Sequence, residues 1–581
     1  MSLELGGMGV SNGIAIGKAR FIMRHISEIP KSTIAAADIE QEIQRLQKAF
    51  KKEREQLHEI KNSIPEDTPG EVASFIDTHL LMLNDELLTE VPAQIIRESH
   101  CNAEWALKQQ RDQLVAVFDA MEDPYLRTRK DDIDHVIHGV LRILMNIEDA
   151  SGTDAEAFTD QIIVADDLTP ADTVLLQQKG IVGIITEFGS PLSHAAILAR
   201  SLGVPAIAGV HGAERLLQEA EVLIIDGTQG LIIGDADKKT LKQYRKAQRQ
   251  HKKQQAKLEL LNDQPSRTTN NIDIQLLANF ELQADMRALK RIQTDGIGLY
   301  RTEFLFMNRN DKPSEEEQFK TYRRVVKAMK GKTVTIRTLD LGADKHIDSI
   351  LGNQDASNPA LGLRGIRYCL QDHSLFMPQL RAILRAASFG DVRIMFPMLT
   401  NPSEIDEALD LLDEAKRYLS RHGFRYGKDV KIGAMIEVPA AAICADQFAK
   451  KLDFLSIGTN DLIQYTLAID RIDDQVNYLY EPMHPSVLHL IQNTIAAGIR
   501  HNTPVAMCGE MAGTARYTRL LLGMGLRQFS MQANNILQSK NIVINSSTET
   551  LEPLAQQILE CSNPQQIQKL LDAMNADLEF I

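Results

Sequence analysis

Apolar residues change their spacing along this 581-residue chain, and each change marks a part. Ile39, Ile43, Leu46, Phe50, Leu57 and Ile60 recur at the period of one helix face. Further helical patterns cover 71–98, 102–122 and 131–148. In the last, Ile133, Val136, Ile137, Val140, Leu141 and Leu144 share a face. Four such segments with short connections predict a helical bundle. From 161 the pattern turns to β/α: QIIVADDLTP, GIVGIITEFG, PAIAGV and EVLIIDGTQGLIIG read as strands and turns, with 193–202 as a helix. Residues 1–20 read as two short strands that belong with this segment, making the bundle an insertion. A basic helix, DKKTLKQYRKAQRQHKKQQAKLELL, leads through the breaker LNDQPSRTTNN into the last part. There, Val/Ile/Leu-rich runs at 273–279, 295–300, 333–338, 392–397, 432–437, 453–457, 504–508 and 528–532 alternate with helical segments. Short apolar runs of this kind are the signature of buried parallel strands. The expected architecture is an α/β multidomain chain. A β/α domain spans 1–25 and 150–235, with a helical insertion at 26–149. A linker helix at 236–262 then leads to a (β/α)₈ barrel at 263–581.

Composition narrows the class without altering this plan. The chain is 44% hydrophobic and 24% charged, ordinary for a globular protein. A formal charge of −14 argues against general nucleic-acid binding, so the basic helix reads as a solvated linker. The N-terminus lacks a basic segment followed by a long apolar one, and no apolar run approaches the ~20 residues that span a bilayer. Cys101, Cys369, Cys444, Cys508 and Cys561 are scattered and without CxxC spacing, which suits a reducing cytoplasm rather than a disulfide framework or zinc site.

The barrel runs carry the candidate chemistry at their C-terminal ends, where barrels of this type build active sites. GIGLYRTEF ends on Arg301, TVTIRTLD on Arg337 and Asp340, AMIEVP on Glu437, FLSIGTND on Asn460 and Asp461, and VAMCGE on Cys508. Arginine forks suit a small polyanion, because they grip phosphate and carboxylate bidentately and stay charged. Two carboxylates at neighbouring strand ends suit a hard cation such as Mg²⁺, or a structural network with the arginines. Earlier in the chain, TEFGSPLSHAAILARSLGVPAIAG places His194 at a strand-to-helix turn, where backbone N–H groups favour an anion. The same position also suits a capping or packing histidine.

That stretch resembles the phosphohistidine motif of Enzyme I, the phosphoenolpyruvate–protein phosphotransferase of the bacterial phosphotransferase system. The resemblance extends in order through GVSNGIAIGKA, GLYRTEFLFM, RTLDLGADK, NPALGLRGIR, MIEVPAA, SIGTNDLIQYTLAIDR and AMCGEMAG. It implies that His194 takes a phosphoryl group from phosphoenolpyruvate and passes it to the carrier HPr, with Thr169 orienting the ring. It further implies that Arg301, Arg337, Arg364, Asn460, Asp461 and Arg471 bind substrate, and that Glu437 and Asp461 hold Mg²⁺. Cys508 would protonate enolpyruvate. The same resemblance implies homodimerisation through the barrel. It also implies a carrier-docking face within FIDTHLLMLND, with Glu71, Phe75, His79, Leu80 and Met82 as contacts, although a broad core-facing stripe explains that segment as well. Leu192 departs from the family's Gly-Gly-x-Thr-Ser-His order and removes a hydroxyl near the histidine, and Ile472 follows Arg471 where Gly or Asn is usual. Two competing readings are an ATP-dependent dikinase or synthase of phosphoenolpyruvate, which needs a further nucleotide domain, and a phosphorylated regulatory module.

Overall fold

A computed structural model describes residues 3–11, 13–22, 29–63, 70–119, 124–145, 158–166, 168, 172–173, 176, 179–188, 199, 203–281, 286, 289, 291–306, 311–341, 359–470 and 476–578. The chain divides into two compact units, Met1–Gln255 and Ala256–Ile581. None of the described helices is long and apolar enough to cross a membrane.

The first unit contains a sheet of β1 (Leu3–Gly6), β2 (Met8–Ser11), β3 (Ile14–Ile22), β4 (Gln161–Ala165), β5 (Gly183–Thr186), β6 (Ala206–Ala208), β7 (Val222–Asp226) and β8 (Leu231–Gly234), in the order β1-β8-β7-β3-β4-β5-β6-β2. Where two strands were expected over residues 1–20, three form. β3 lies at the centre, parallel to β4 from Lys18↔Gln161 to Ile22↔Ala165 and antiparallel to β7. The opening residues therefore share a sheet with strands more than a hundred residues away. Ile163 and Ile184 pack into one core, and Ile162, Val164 and Ile185 into another, so both faces are covered.

Between β3 and β4 the chain forms helices Ile39–Ser63, Gly70–Met82, Glu86–Ser99, Ala103–Asp119 and Pro124–Leu144. The expectation of four helices, with one region over 71–98, is corrected to five among the described residues. The chain turns at 83–85, and the Asp85 side chain accepts from the Leu87 N–H at 2.9 Å, capping a new helix. The helix expected over 193–202 lies almost entirely outside the described residues. The basic helix runs Lys238–Glu259.

The second unit is built on a closed, all-parallel barrel of β9 (Gln275–Phe280), β10 (Gly296–Tyr300), β11 (Thr333–Arg337), β12 (Val392–Phe396), β13 (Lys431–Ile436), β14 (Phe454–Ile457), β15 (Val505–Met507) and β16 (Gln528–Met531). β16 closes on β9 from Gln528↔Gln275 to Met531↔Ala278. The strands match the eight apolar runs read from the sequence. Ile336, Ile394, Ile436, Leu455 and Phe529 belong to the large core that includes the surrounding helices, whereas Leu299, Met395, Met435, Phe454 and Cys508 form a separate small cluster. The strand period of two thus sorts each run into outward and inward residues.

Candidate active site

The C-terminal ends of β10 to β14 bring six charged side chains together. Arg337, the last residue of β11, donates to Glu303 Oε1 at 3.1 Å and lies 2.9 Å from Asp340 Oδ2. Arg364 donates to both oxygens of Asp340 at 3.2 Å and to the Tyr465 hydroxyl at 3.2 Å, and lies 3.9 Å from Asp461. Tyr465 in turn donates to the Ala360 carbonyl at 2.5 Å. Glu437, one residue beyond β13, accepts from the Met398 N–H at 2.6 Å. That N–H is presented by a left-handed turn at Met398 (φ 57°), an uncommon conformation for a residue with a side chain. Gly365 beside Arg364 is also left-handed, and a Cβ there would lie 2.9 Å from Met398 and 3.1 Å from Asp340, so glycine is required for both reasons.

The cluster is held from behind. The Gln379 side chain, on the helix His373–Ala386, accepts from the Leu339 N–H at 3.0 Å and donates to Thr302 at 3.2 Å, and Thr302 donates to the Arg337 carbonyl at 3.0 Å. One buried amide thereby links the ends of β10 and β11.

Two guanidiniums face the carboxylates of Glu303, Asp340, Glu437 and Asp461, leaving an excess of negative charge. Burial acts against the charge on Arg337 and Arg364. Glu303 and Asp340 around the first, and Asp340 and Asp461 around the second, outweigh it and hold both above the ordinary arginine range. Burial, then the nearby Asp340 and Asp461, push Glu437 up to about 8. Asp340, Glu437 and Asp461 each offer an oxygen within 4.8 Å of the others. Three crowded hard ligands with uncompensated negative charge fit a divalent cation.

Cys508 follows β15 and is buried against the inner face of the barrel. Met435 lies in the same small cluster, and its sulfur receives Arg337 at 3.6 Å, which connects the thiol's surroundings to the charged group above. Burial pushes the thiol up to about 11, so it keeps its proton at neutral pH. Asn279 holds the Cys508 carbonyl at 3.1 Å and accepts from Ser530 at 2.6 Å.

Of the residues singled out from sequence, the structure therefore unites Arg337, Asp340, Arg364, Glu437 and Asp461. Arg301 is more exposed and pairs with Glu281 at 2.8 Å. Asn460 exchanges hydrogen bonds with Glu510, donating to its carboxylate and accepting from its N–H, each at 3.0 Å. The expectations for His194, Thr169 and Arg471 lie outside the described residues, as do Leu192 and Ile472. Those for Glu71 and Phe75 concern side chains outside the description. At His79 and Leu80 the expected docking face is corrected: both side chains are buried, and Leu80 joins Ile76 and Leu83 in the bundle core. Met82 packs partly against that core, and Leu81 is exposed.

Sequence reasoning marked Asp340 as candidate chemistry without giving it a role, and missed Glu303 and Tyr465. Glu303 was visible as an acidic residue two positions after Arg301. Tyr465 carried no such signal, because it reaches the cluster from one turn along the helix Thr459–Leu467.

Three family descriptions match in sequence order: PEP-utilising enzyme, N-terminal, over 6–129; PEP-utilising enzyme, mobile domain, over 158–230; and PEP-utilising enzyme, PEP-binding domain, over 255–548. The phosphoenolpyruvate-protein phosphotransferase of Cupriavidus necator is 44% identical over 576 residues, which cover 97% of this chain and 98% of its own. Those of Listeria innocua and Bacillus subtilis are each 38% identical, covering 99% and 97% of this chain and 100% and 98% of theirs. With identity at this level from end to end and a barrel rim carrying the charged cluster, the chain belongs to the phosphoenolpyruvate–protein phosphotransferase family of transferases.

Proposed function

We propose that the chain transfers the phosphoryl group of phosphoenolpyruvate to its own His194, releases pyruvate, and passes the group to a histidine of an HPr-type carrier. The observation that carries this reading is the meeting of Arg337, Arg364, Asp340, Glu437 and Asp461 at the barrel rim, with a protonated thiol just beneath. Arg337 and Arg364, joined by Arg301 and Arg471, bind the phosphate and carboxylate of the substrate. Asn460 contributes its amide once Glu510 releases it. Asp340, Glu437 and Asp461 hold Mg²⁺, which when bound supplies charge neutralisation for the phosphoryl group and orients it. His194 attacks phosphorus in line, the bond from phosphorus to the enol oxygen breaks, and Thr169 keeps the ring in the tautomer that attacks. Cys508 then gives its proton to the methylene carbon of enolpyruvate, and the enol oxygen closes to the carbonyl of pyruvate.

The β/α domain at 1–25 and 150–235 presents His194, the insertion at 26–149 receives the carrier, and 263–581 binds substrate and forms the homodimer. Glu71, Phe75 and Met82 are the docking candidates. The protein acts in the cytoplasm, in the phosphotransferase system for sugars or its nitrogen-related branch. Incubation with phosphoenolpyruvate labelled in the phosphoryl group tests the scheme. His194→Ala should take up no label yet bind phosphoenolpyruvate with Mg²⁺ as the unaltered chain does. Stable label on that variant contradicts the assignment.

A further inference from the structure

The inside of a (β/α)₈ barrel is ordinarily filled by layers of bulky branched side chains. Here part of the interior carries small residues instead. Gly298, Thr335, Ser456 and Ala506, together with Arg393 and Phe454, line a cavity of about 30 Å³. Gly433 cannot help to fill it, because the Phe454 ring already lies where its Cβ would stand, at 2.4 Å. The mouth is formed by Gln275, Asp295, Thr333 and Gln528, which stand at or just before the first residues of their strands. Gln275 and Asp295 are exposed, whereas Ser456 and Thr335 are buried. The cavity therefore opens at the N-terminal end of the barrel, opposite the charged rim. Its size admits one or two waters, and its hydroxyls and guanidinium give them partners.

Ser456 stands at the inner end. It lines the cavity, and its buried hydroxyl has no hydrogen-bond partner in the protein among the described residues. The strand register makes it a neighbour of Cys508: Ser456 pairs with Ala506, and Cys508 is the next inward residue of that strand. Arg393 stacks over Phe454 at 5.6 Å and has no carboxylate within ion-pair distance among the described residues. A fixed cation beside a water-sized passage favours a negative charge moving through it.

Building on the assignment of Cys508 as proton donor, we propose that this cavity is a proton passage that restores the thiol from the far end of the barrel while product still occupies the rim. When Cys508 has given its proton to carbon, the S–H bond is broken and a C–H bond has formed. The thiolate then takes the Ser456 proton, Ser456 takes one from a cavity water, and the hydroxide left passes out by Arg393 to solvent. In the reverse direction the thiolate removes a methyl proton from bound pyruvate and sends it out by the same route. Ser456 is a positioning and relay residue that acts through Cys508.

Isotope exchange tests this in the full chain. The protein is incubated in D₂O with Mg²⁺, phosphoenolpyruvate and pyruvate, and the deuterium content of the pyruvate methyl group is followed by mass spectrometry at low conversion. A thiol that exchanges with solvent during one residence of pyruvate yields doubly and triply deuterated methyl groups from the start. Ser456→Ala and Ala506→Val, the second narrowing the cavity while keeping the Ser456 hydroxyl, should each lower the multiply labelled fraction relative to the singly labelled by about 10²-fold, the lower end of the effect of a lost proton-transfer group. Ala506→Val should leave the KM for phosphoenolpyruvate unchanged. Wild-type pyruvate that is only singly labelled early on, or variants with the wild-type distribution, would overturn the passage and leave the role of Cys508 standing. Wild-type rates of deuterium entry in Cys508→Ala would instead overturn the donor assignment on which the passage rests.

Discussion

Asp340 is the residue on which the charged cluster closes. It accepts from Arg364, lies within ion-pair distance of Arg337, and offers an oxygen to the group formed with Glu437 and Asp461. Asp340→Asn keeps the shape and removes the charge, so both guanidiniums lose a partner that fixes them. The Mg²⁺ concentration for half-maximal activity should rise about 10- to 100-fold, the usual cost of disturbing a metal ligand's support. Metal titration of the transfer rate measures it. Glu437 adds a pH dependence. Burial first, then Asp340 and Asp461, push its carboxyl up to about 8, while the arginines pull it down. A carboxyl must lose its proton to ligate, so Mg²⁺ affinity should weaken as pH falls below about 8, approaching tenfold per unit, with a proton released on binding. Calorimetry in buffers of different ionisation enthalpy reads that release, and an affinity flat from pH 6 to 8 contradicts it. Without metal the sign for stability follows. The raised pKa favours the folded state fully below the unfolded value of 4.5, and this contribution is lost as pH rises through about 8. For Cys508, replacement by Ser should slow pyruvate formation by about 10²–10⁴, because a hydroxyl is a far weaker acid, while phosphoenolpyruvate binding persists. Stopped-flow detection of pyruvate separates the two.

Among the elements, the segment that follows the basic helix is tied to the barrel by one buried side chain. Lys540, on the helix Ala533–Ile544, donates to the carbonyls of Leu261, Asn262 and Gln264 at 3.2, 2.9 and 2.8 Å. Those carbonyls lie in the turn that follows the helix end at Glu259, where the ammonium gathers them and the Gln264 N–H also donates to Leu261 at 3.0 Å. Burial lowers the Lys540 pKa, with Asp295 and Asp263 acting against it. Lys540→Met retains the stem and removes all three bonds, leaving Leu261 only the Gln264 N–H as partner among the described residues. Hydrogen bonds to a charged group contribute ~1.5–3 kcal/mol, so the barrel should lose at least ~2 kcal/mol, read from its urea midpoint. The rim lies at the other elements, and Mg²⁺ affinity should not change.

At the scale of the molecule, the second compact unit begins at Ala256 and contains every strand of the barrel and every described rim residue. A fragment of residues 256–581 should fold alone and bind phosphoenolpyruvate with Mg²⁺, whereas one starting at 263 forfeits the Leu261 and Asn262 contacts and should be less stable. Neither carries His194, so neither should phosphorylate a carrier. Residues 1–255 added separately should restore only slow transfer, because the covalent link otherwise supplies an effective concentration on the order of millimolar. Calorimetry and labelled transfer with mixed fragments provide the check, and a fragment that phosphorylates carrier unaided contradicts the place given to His194.

Local pattern was enough to determine much of this protein. Apolar runs of strand length separated by helical segments specify the barrel, because inward and outward residues must alternate wherever both faces are buried. Arg337, Asp340, Glu437 and Asp461 announced themselves by ending or following such a run, whereas Arg364 lies in a loop and was marked only by the family resemblance. The bundle's extra turn at 83–85 was less legible, since one Asp cap in a continuously helical pattern looks like any exposed acid. Burial of His79 and Leu80 could not be read either: a helix with apolar residues on several sides has the same sequence whether its neighbours or a partner cover them. What only tertiary structure decided are the meetings between distant strand ends. Asp340 became a ligand candidate because closure of the barrel carries it to Glu437 and Asp461, 97 and 121 residues further on. Ser456 became a neighbour of Cys508 because β14 and β15 align in register. Spacing along a chain fixes which face a residue takes, and only the closed sheet fixes which residues that face will meet.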